Sequence, residues 1–330
     1  MEKSFRMELA GRSLIVETGK MAKQASGAVL VRYGETVVLV TSTASKEARE
    51  GMDFFPLTVD YEEKMYAVGK MPGGFLRREG RPGNSAILNA RLIDRPIRPL
   101  FDKRCRNDIH VMATVLSVDY DNAPELCGML GASASLGISD IPWDGPIAGV
   151  RVGCVDGQFV INPTQEQLKV STLNITVAGS ETAILMVEGG AQEAPEEDVL
   201  DAIMFGHETI KELVAFQKKI IEEVGKSKRT LIFPEIPEEI KNAIYAYAER
   251  PLKEAIFNPD KLTREAHMEE VRKEAEAHFK EIYPENGSDI AECLNHLTKE
   301  IVRHMISVDK IRPDGRALDE ILSLIHISEP

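Results

Sequence analysis

Between residues 77 and 106 the chain places Arg77, Arg78, Arg81, Arg91, Arg95, Arg98, Lys103, Arg104 and Arg106, against the acids Glu79, Asp94 and Asp102. That window carries +6 in a chain whose formal charge is −13, which leaves −19 for the remainder. Guanidinium groups match phosphate oxygens in fixed, forked geometry. A focused positive site on an acidic body suits a channel for an anionic polymer and argues against a generic nucleic-acid coat. Phe75 stands just ahead of the first arginines, after Gly73-Gly74. A ring on such a loop can stack on a base whatever its identity, a contact of about 1–3 kcal/mol. Arg77, Arg78 and Arg81 would then meet backbone phosphates. Arg91 and Arg95, four apart, share one helix face, and Arg98 extends the series. The competing structural reading buries Phe75 in a core. It also pairs the helix arginines with Asp94 or Asp102, or uses them in packing between subunits.

The rest of the composition narrows the class. Hydrophobic residues make up 43% and charged residues 28% of 330, the balance of a globular protein with two or three domains. No apolar run approaches the roughly 20 residues of a membrane helix, and residues 1–12 lack the apolar stretch of a secretory signal. Cys105, Cys127, Cys154 and Cys293 are scattered, with neither a C-x-x-C pair nor a His cluster, so neither zinc nor a disulfide framework is expected. Buried thiols in a reducing cytosol fit this pattern.

Several elements must position the cations. The β-branched runs Leu14–Val16, Ala28–Val31 and Thr36–Val40 predict strands, with a turn at Tyr33-Gly34-Glu35. Residues 86–95 read as a helix stopped by Pro96 and Pro99. Residues 109–118 read as a buried strand, and 124–136 as a helix whose small residues allow close approach. A hairpin is expected around Asp156-Gly157, joining strands at 149–155 and 159–161. Strands follow at 172–177 and 183–187. Val199, Ile203, Ile210, Val214, Ile221 and Val224 keep helical spacing up to a stop at Gly225. Residues 227–237 look like a linker. From Glu238 helix formers dominate, with breaks expected at Pro251, Pro259 and Pro284. His207 is expected to pack within its helix. Ala10-Gly11-Arg12-Ser13-Leu14 is echoed by Asp314-Gly315-Arg316-Ala317-Leu318, a hint of a duplicated core whose second copy begins near residue 309.

The segment Gly74-Phe75-Leu76-Arg77-Arg78-Glu79-Gly80-Arg81-Pro82 resembles the phenylalanine–arginine loop of the polynucleotide phosphorylase family, with Leu76 in place of the usual second phenylalanine. Residues 91–101, Arg-Leu-Ile-Asp-Arg-Pro-Ile-Arg-Pro-Leu-Phe, are similar to that family's next signature almost letter for letter. Weaker likenesses follow in order at 131–134, 141–142, 145–147, 186–188, 205–208 and 311–316. The resemblance spans residues 3–321. It implies an α+β fold: an RNase PH-type core of the ribosomal protein S5 domain 2-like kind over 1–226, in subdomains 1–143 and 144–226. A linker at 227–237, an all-helical domain at 238–308 and the start of a second core at 309–321 would follow. Residues 322–330 depart from the family pattern and are expected to be disordered or an artefact of the sequence.

The resemblance further implies a cytoplasmic, trimeric nucleotidyltransferase that degrades single-stranded RNA 3′ to 5′. It consumes inorganic phosphate, releases nucleoside diphosphates and uses Mg2+. The family keeps its phosphate-binding arginines, its metal aspartates and a lysine in the second core. In this chain Asn84 and Ser85 fall at the arginine positions, Leu168 and Asn174 at the aspartates, and Thr176 at the lysine. Leucine cannot ligate magnesium, asparagine brings no charge, and threonine supplies no cation. The expectation is therefore no catalytic residue and no metal ligand in this chain, whose portion guides RNA and supports trimer assembly. Phe75, Arg77, Arg78, Arg81, Arg91, Arg95 and Arg98 are the RNA-binding candidates. Ser133, in what looks like a degenerate phosphate turn, is a weaker phosphate-binding candidate. A non-catalytic RNA-binding scaffold is the alternative, and a stand-alone RNase PH-type enzyme fits least.

Overall fold

The computed structural model describes residues 2–48, 54–231 and 236–321, which separate into two compact units dividing after Phe233. Residues 232–235, inside the expected linker, and the tail at 322–330 lie outside the described residues.

The first unit is built on two sheets. Strands β1 (Lys3–Leu9), β2 (Arg12–Thr18), β3 (Gly27–Tyr33), β4 (Thr36–Ala48), β5 (Leu57–Glu63) and β6 (Asn107–Ser117) form a sheet in the order β1-β2-β3-β4-β6-β5. Its neighbours are antiparallel except β5, which runs parallel to β6 and is a free edge. Strands β7 (Ala148–Val155), β8 (Gln158–Ile161), β9 (Leu173–Gly179) and β10 (Ile184–Ala191) form an antiparallel sheet in the order β10-β9-β7-β8.

Helix α1 (Asn84–Ile97) packs on β5, and α2 (Pro124–Ile138) packs on β3, β4, β6 and β7. Every residue of α2 from Leu126 to Ile138 is buried, so its small residues have a reason. A Cβ on Gly131 would stand 2.4 Å from the Val40 side chain, and one on Gly128 3.0 Å from Ile93. The long helix α4 (Glu196–Val224) covers β7 and β9. One continuous apolar core joins the two sheets through α2.

Local chemistry explains most boundaries. Ala10 (φ 48) and Gly11 (φ 72) supply the two positive φ angles of a tight hairpin between β1 and β2, as Asp156 (φ 50) and Gly157 (φ 75) do between β7 and β8. The short helix α3 (Gln165–Val170) starts with a reciprocal capping box between Thr164 and Gln167. Where the echoed motif recurs, Gly315 takes φ 84 and an isolated bridge joins Ile311 to Ala317.

Three sequence expectations need correction. Pro96 does not end α1; it lies in the last turn, buried, and the helix closes beyond it through the Arg98 N–H on the Asp94 carbonyl. Only the Leu92 carbonyl loses its partner there. Pro251 does not break α5 (Glu238–Ile256), because the buried Ala248 and Leu252 on either side hold the helix to its core. Gly225 caps α4, but with φ −66 rather than in the left-handed region. Its missing side chain matters because a Cβ would stand 2.4 Å from the Ile221 carbonyl, which accepts the Gly225 N–H.

The second unit consists of α5, α6 (Lys261–Ile282) and α7 (Gly287–His304) around a core of its own that includes Ile244, Leu252, Phe279, Leu294 and Leu297. Asp260 caps α6 by accepting the Thr263 N–H at 2.8 Å.

Candidate nucleic-acid interface

Residues 64–83 connect β5 to α1. Lys64 pairs with Glu62 and, at 3.5 Å, with Glu79, while the Met65 N–H donates to Glu79 at 2.9 Å. Hydrogen bonding to Glu62, reinforced by the Glu79 charge, holds the Lys64 ammonium above its ordinary pKa. This clasp ties the acid of the loop to its base. Arg77 takes φ 50 and returns its N–H to the Gly74 carbonyl at 3.0 Å, closing a tight turn. Phe75 at its tip is 100% exposed and Leu76 71% exposed. Phe75 is therefore not a core residue. Arg77, Arg78 and Arg81 are exposed and have no ion pair or side-chain hydrogen bond among the described residues.

The three helix arginines divide. Arg91 is exposed, unpaired among the described residues, and lines a cleft between α1 and β5. Arg95 reaches across to Glu188 on β10 at 2.5 Å. Arg98 forks onto Asp94 at 2.9 and 2.6 Å, donates to the Leu57 carbonyl at 3.0 Å and lies 5.8 Å from the Phe55 ring centroid. Of the two expected acid partners, Asp94 does pair with a helix arginine, Arg98, whereas Asp102 serves Arg104 at 2.8 Å. Arg104 hydrogen bonds hold the Asp102 carboxyl below its usual range. All three acids of the basic window are therefore occupied locally.

Ser133 is a further correction. It sits in the third turn of α2, not at a helix start, and is 0% exposed. Its hydroxyl accepts the Ile147 N–H at 2.9 Å, so no anion reaches it. At the start of α2, Glu125 pairs with Arg151 on β7 at 2.7 Å, with both side chains largely covered. Glu125 is an acid in the first turn of α2, where the helix dipole favours negative charge. The sequence signal was present as an acid after Pro124, the usual first-turn pattern. Leu168 lies in α3, Asn174 and Thr176 on β9, and Asn84 and Ser85 in the first turn of α1. That donor set does not fit Mg2+, and no cluster of three or more His, Cys, Asp or Glu among the described residues fits a metal. His207 is 6% exposed, with Nε2 3.0 Å from the Ser180 carbonyl. Arg12 is a structural residue, hydrogen-bonded to the Asp121 carbonyl and the Asn122 side chain and 4.8 Å from the Tyr33 ring centroid. Among the described residues no helix is long and apolar enough to cross a membrane.

Three family models match in sequence. Residues 10–142 match the 3′ exoribonuclease family, domain 1, residues 145–209 its domain 2, and residues 239–317 the polyribonucleotide nucleotidyltransferase RNA binding domain. A polyribonucleotide nucleotidyltransferase of Heliobacterium modesticaldum is 57% identical over 317 residues, covering 96% of this chain. Its counterparts in Syntrophomonas wolfei and Geobacillus kaustophilus are 57% and 55% identical over 97% of the chain. The chain spans about 45% of the length of these relatives. The crystal structure of rice Rrp46 superposes on 67% of this chain and 94% of its own, with a TM-score of 0.50 at 14% identity, a likeness of fold alone. The RNase PH-type architecture, the ordered family matches and the relatives agree: the chain belongs to the polyribonucleotide nucleotidyltransferase family and corresponds to its N-terminal portion.

Proposed function

We propose that this chain is the RNA-guiding portion of a phosphorolytic 3′–5′ exoribonuclease, working as a homotrimer on single-stranded RNA. The observation that carries the reading is the fully exposed Phe75 ring beside the unpaired Arg77, Arg78 and Arg81, with Arg91 on the helix that follows. An exposed guanidinium with no ion pair among the described residues can meet a phosphate without breaking an existing contact, and the counterions released from the RNA favour binding, whereas Arg95 and Arg98 would first have to leave Glu188 and Asp94. We therefore assign phosphate contact to Arg77, Arg78, Arg81 and Arg91, base stacking to Phe75, and a positioning role to Arg95 and Arg98. Inorganic phosphate, nucleoside diphosphates and Mg2+ belong, in this reading, to the length of the relatives that this chain does not span.

The test is binding of a labelled single-stranded RNA over a range of salt concentrations. Arg77→Ala with Arg78→Ala should weaken binding and lower the slope of log K against log salt by about 1–1.5, since each single-strand phosphate contact contributes about 0.7. Unchanged affinity and slope would remove the loop from the RNA path. Phe75→Ala should weaken binding by about 1–3 kcal/mol with the slope preserved, separating stacking from charge.

A further inference from the structure

Strand β5 and helix α1 leave between them an open cleft of about 330 Å³, lined among others by Val59, Asp60, Ile87, Ala90 and Arg91. Small-molecule sites run from about 300 to 1,000 Å³, so this one is large enough for a single nucleotide. Four observations give it a chemistry. Arg91 stands in its wall with no partner among the described residues. Ile87 is 51% exposed on that wall, next to Ala90, an apolar surface the unit does not cover. Neither acid there pairs with Arg91: Asp94 is held by Arg98, and Asp60 lies 2.8 Å from His110 Nε2.

The fourth concerns the backbone of β5. Ile109 donates its N–H to the Pro56 carbonyl at 3.0 Å, and Leu57 is in register with Ile109. In a parallel ladder this turns the even residues of β5 toward β6 and the odd residues outward. Leu57 already uses its outward carbonyl for Arg98. Val59 presents its N–H and C=O along an edge with no further strand among the described residues. A backbone pair of this kind can meet the edge of a base or a ribose hydroxyl. Pro82, at the end of the arginine loop, also lines the cleft, so a strand leaving the loop arrives there.

We infer that this cleft is a mononucleotide subsite for the bound RNA. Its phosphate lies on Arg91, its sugar and base against Ile87 and Ala90, and its polar edge on the Val59 backbone. The inference rests on the reading of this chain as an RNA-guiding core and adds a place where one nucleotide is held apart from the loop.

The test titrates the whole chain with adenosine 5′-monophosphate, ribose 5-phosphate and inorganic phosphate, following backbone and methyl NMR signals of residues 86–91. Saturable shifts with the mononucleotide are expected, with ribose 5-phosphate weaker and phosphate weaker still. Ala90→Phe, which fills the cleft, and Ile87→Asp, an exposed change that sets a carboxylate against the phosphate, should each weaken the mononucleotide about tenfold or more. Ile87→Asp keeps the test valid if the larger ring disturbs folding. Arg77→Ala with Arg78→Ala should leave mononucleotide binding within about twofold while weakening long RNA, so failure of the loop reading and failure of the subsite are told apart. No saturable shift at residues 86–91, equal affinity for phosphate and mononucleotide, or full affinity in both cleft variants would overturn the subsite.

Discussion

Arg91 and Arg95 sit one turn apart on the same face of α1, yet among the described residues one has no partner and the other is spent on Glu188. Spacing alone gave the shared face. The partner came from β10, more than 90 residues away, and nothing local announces it. Phe75 shows the reverse case, since its Gly-flanked setting correctly suggested exposure. Ser133 shows how a short likeness misleads. The helical pattern over 124–136 already puts it in mid-helix, where a hydroxyl meets packing partners rather than an anion. Removing it tests that assignment. Ser133→Ala leaves the Ile147 N–H without an acceptor in a dry core, so unfolding stability should fall by about 1–3 kcal/mol. Denaturant titration reads that loss, and RNA affinity should be unaltered. A weakened RNA or phosphate affinity at unchanged stability would restore a ligand role to this serine.

Strands and helices with strong periodicity were legible: β2, β3, β4, β6, β7, α2 and α4 lie close to where the apolar spacing puts them. Those passed over have physical excuses. β1 alternates cleanly, but its outward Arg6 and Glu8 dilute the apolar signal, and β5 carries Asp60, Glu62 and Glu63 at the edge of its sheet. Both are held by neighbours in the sheet rather than by their own propensity. The stretch after α4 reads as linker from its charge, yet its lysines and arginine strap it to the core. Lys226 donates its N–H to the Ile138 carbonyl, Arg229 pairs with Asp140 at 2.8 Å, and Lys228 Nζ lies 2.7, 2.9 and 2.8 Å from the carbonyls of Leu136, Gly137 and Ser139. The ammonium thus closes the C-terminal end of α2.

Burial pulls the Lys228 pKa from 10.5 down to about 8, against the opposing charge of Asp140. Between those values the unfolded chain binds more protons than the folded one, so this group's contribution to stability rises with pH and is lost as pH falls through about 8. Comparing the wild-type protein with Lys228→Met by urea unfolding at pH 7, 9 and 10 isolates it, because other titrating groups cancel. The wild-type protein should gain on the variant as pH climbs. A gap that stays flat would mean that the three carbonyls hold the charged form as well as water does.

At the scale of the chain, charge and chemistry are separated. The net charge of −13 hides a basic window whose acids are locally occupied, which leaves Arg77, Arg78, Arg81 and Arg91 without an ion pair among the described residues. That asymmetry is readable from composition, as is the change of character near Glu238 that marks the helical unit. The pairing of Glu125 with Arg151 is not, because it joins α2 to a strand of the other sheet. Phosphorolysis needs a seat for phosphate and a charge-stabilising centre at the scissile phosphorus. In this core the Ser133 hydroxyl is buried in mid-helix and taken by the Ile147 N–H, and Leu168, Asn174 and Thr176 offer neither an anionic metal donor nor a cation. The purified chain, given single-stranded RNA, phosphate and Mg2+, should therefore bind RNA in a salt-dependent way and release no nucleoside diphosphate above background. Chromatography of the products decides it, and sustained magnesium-dependent release by this chain alone would show that a reaction centre exists here which these residues do not reveal.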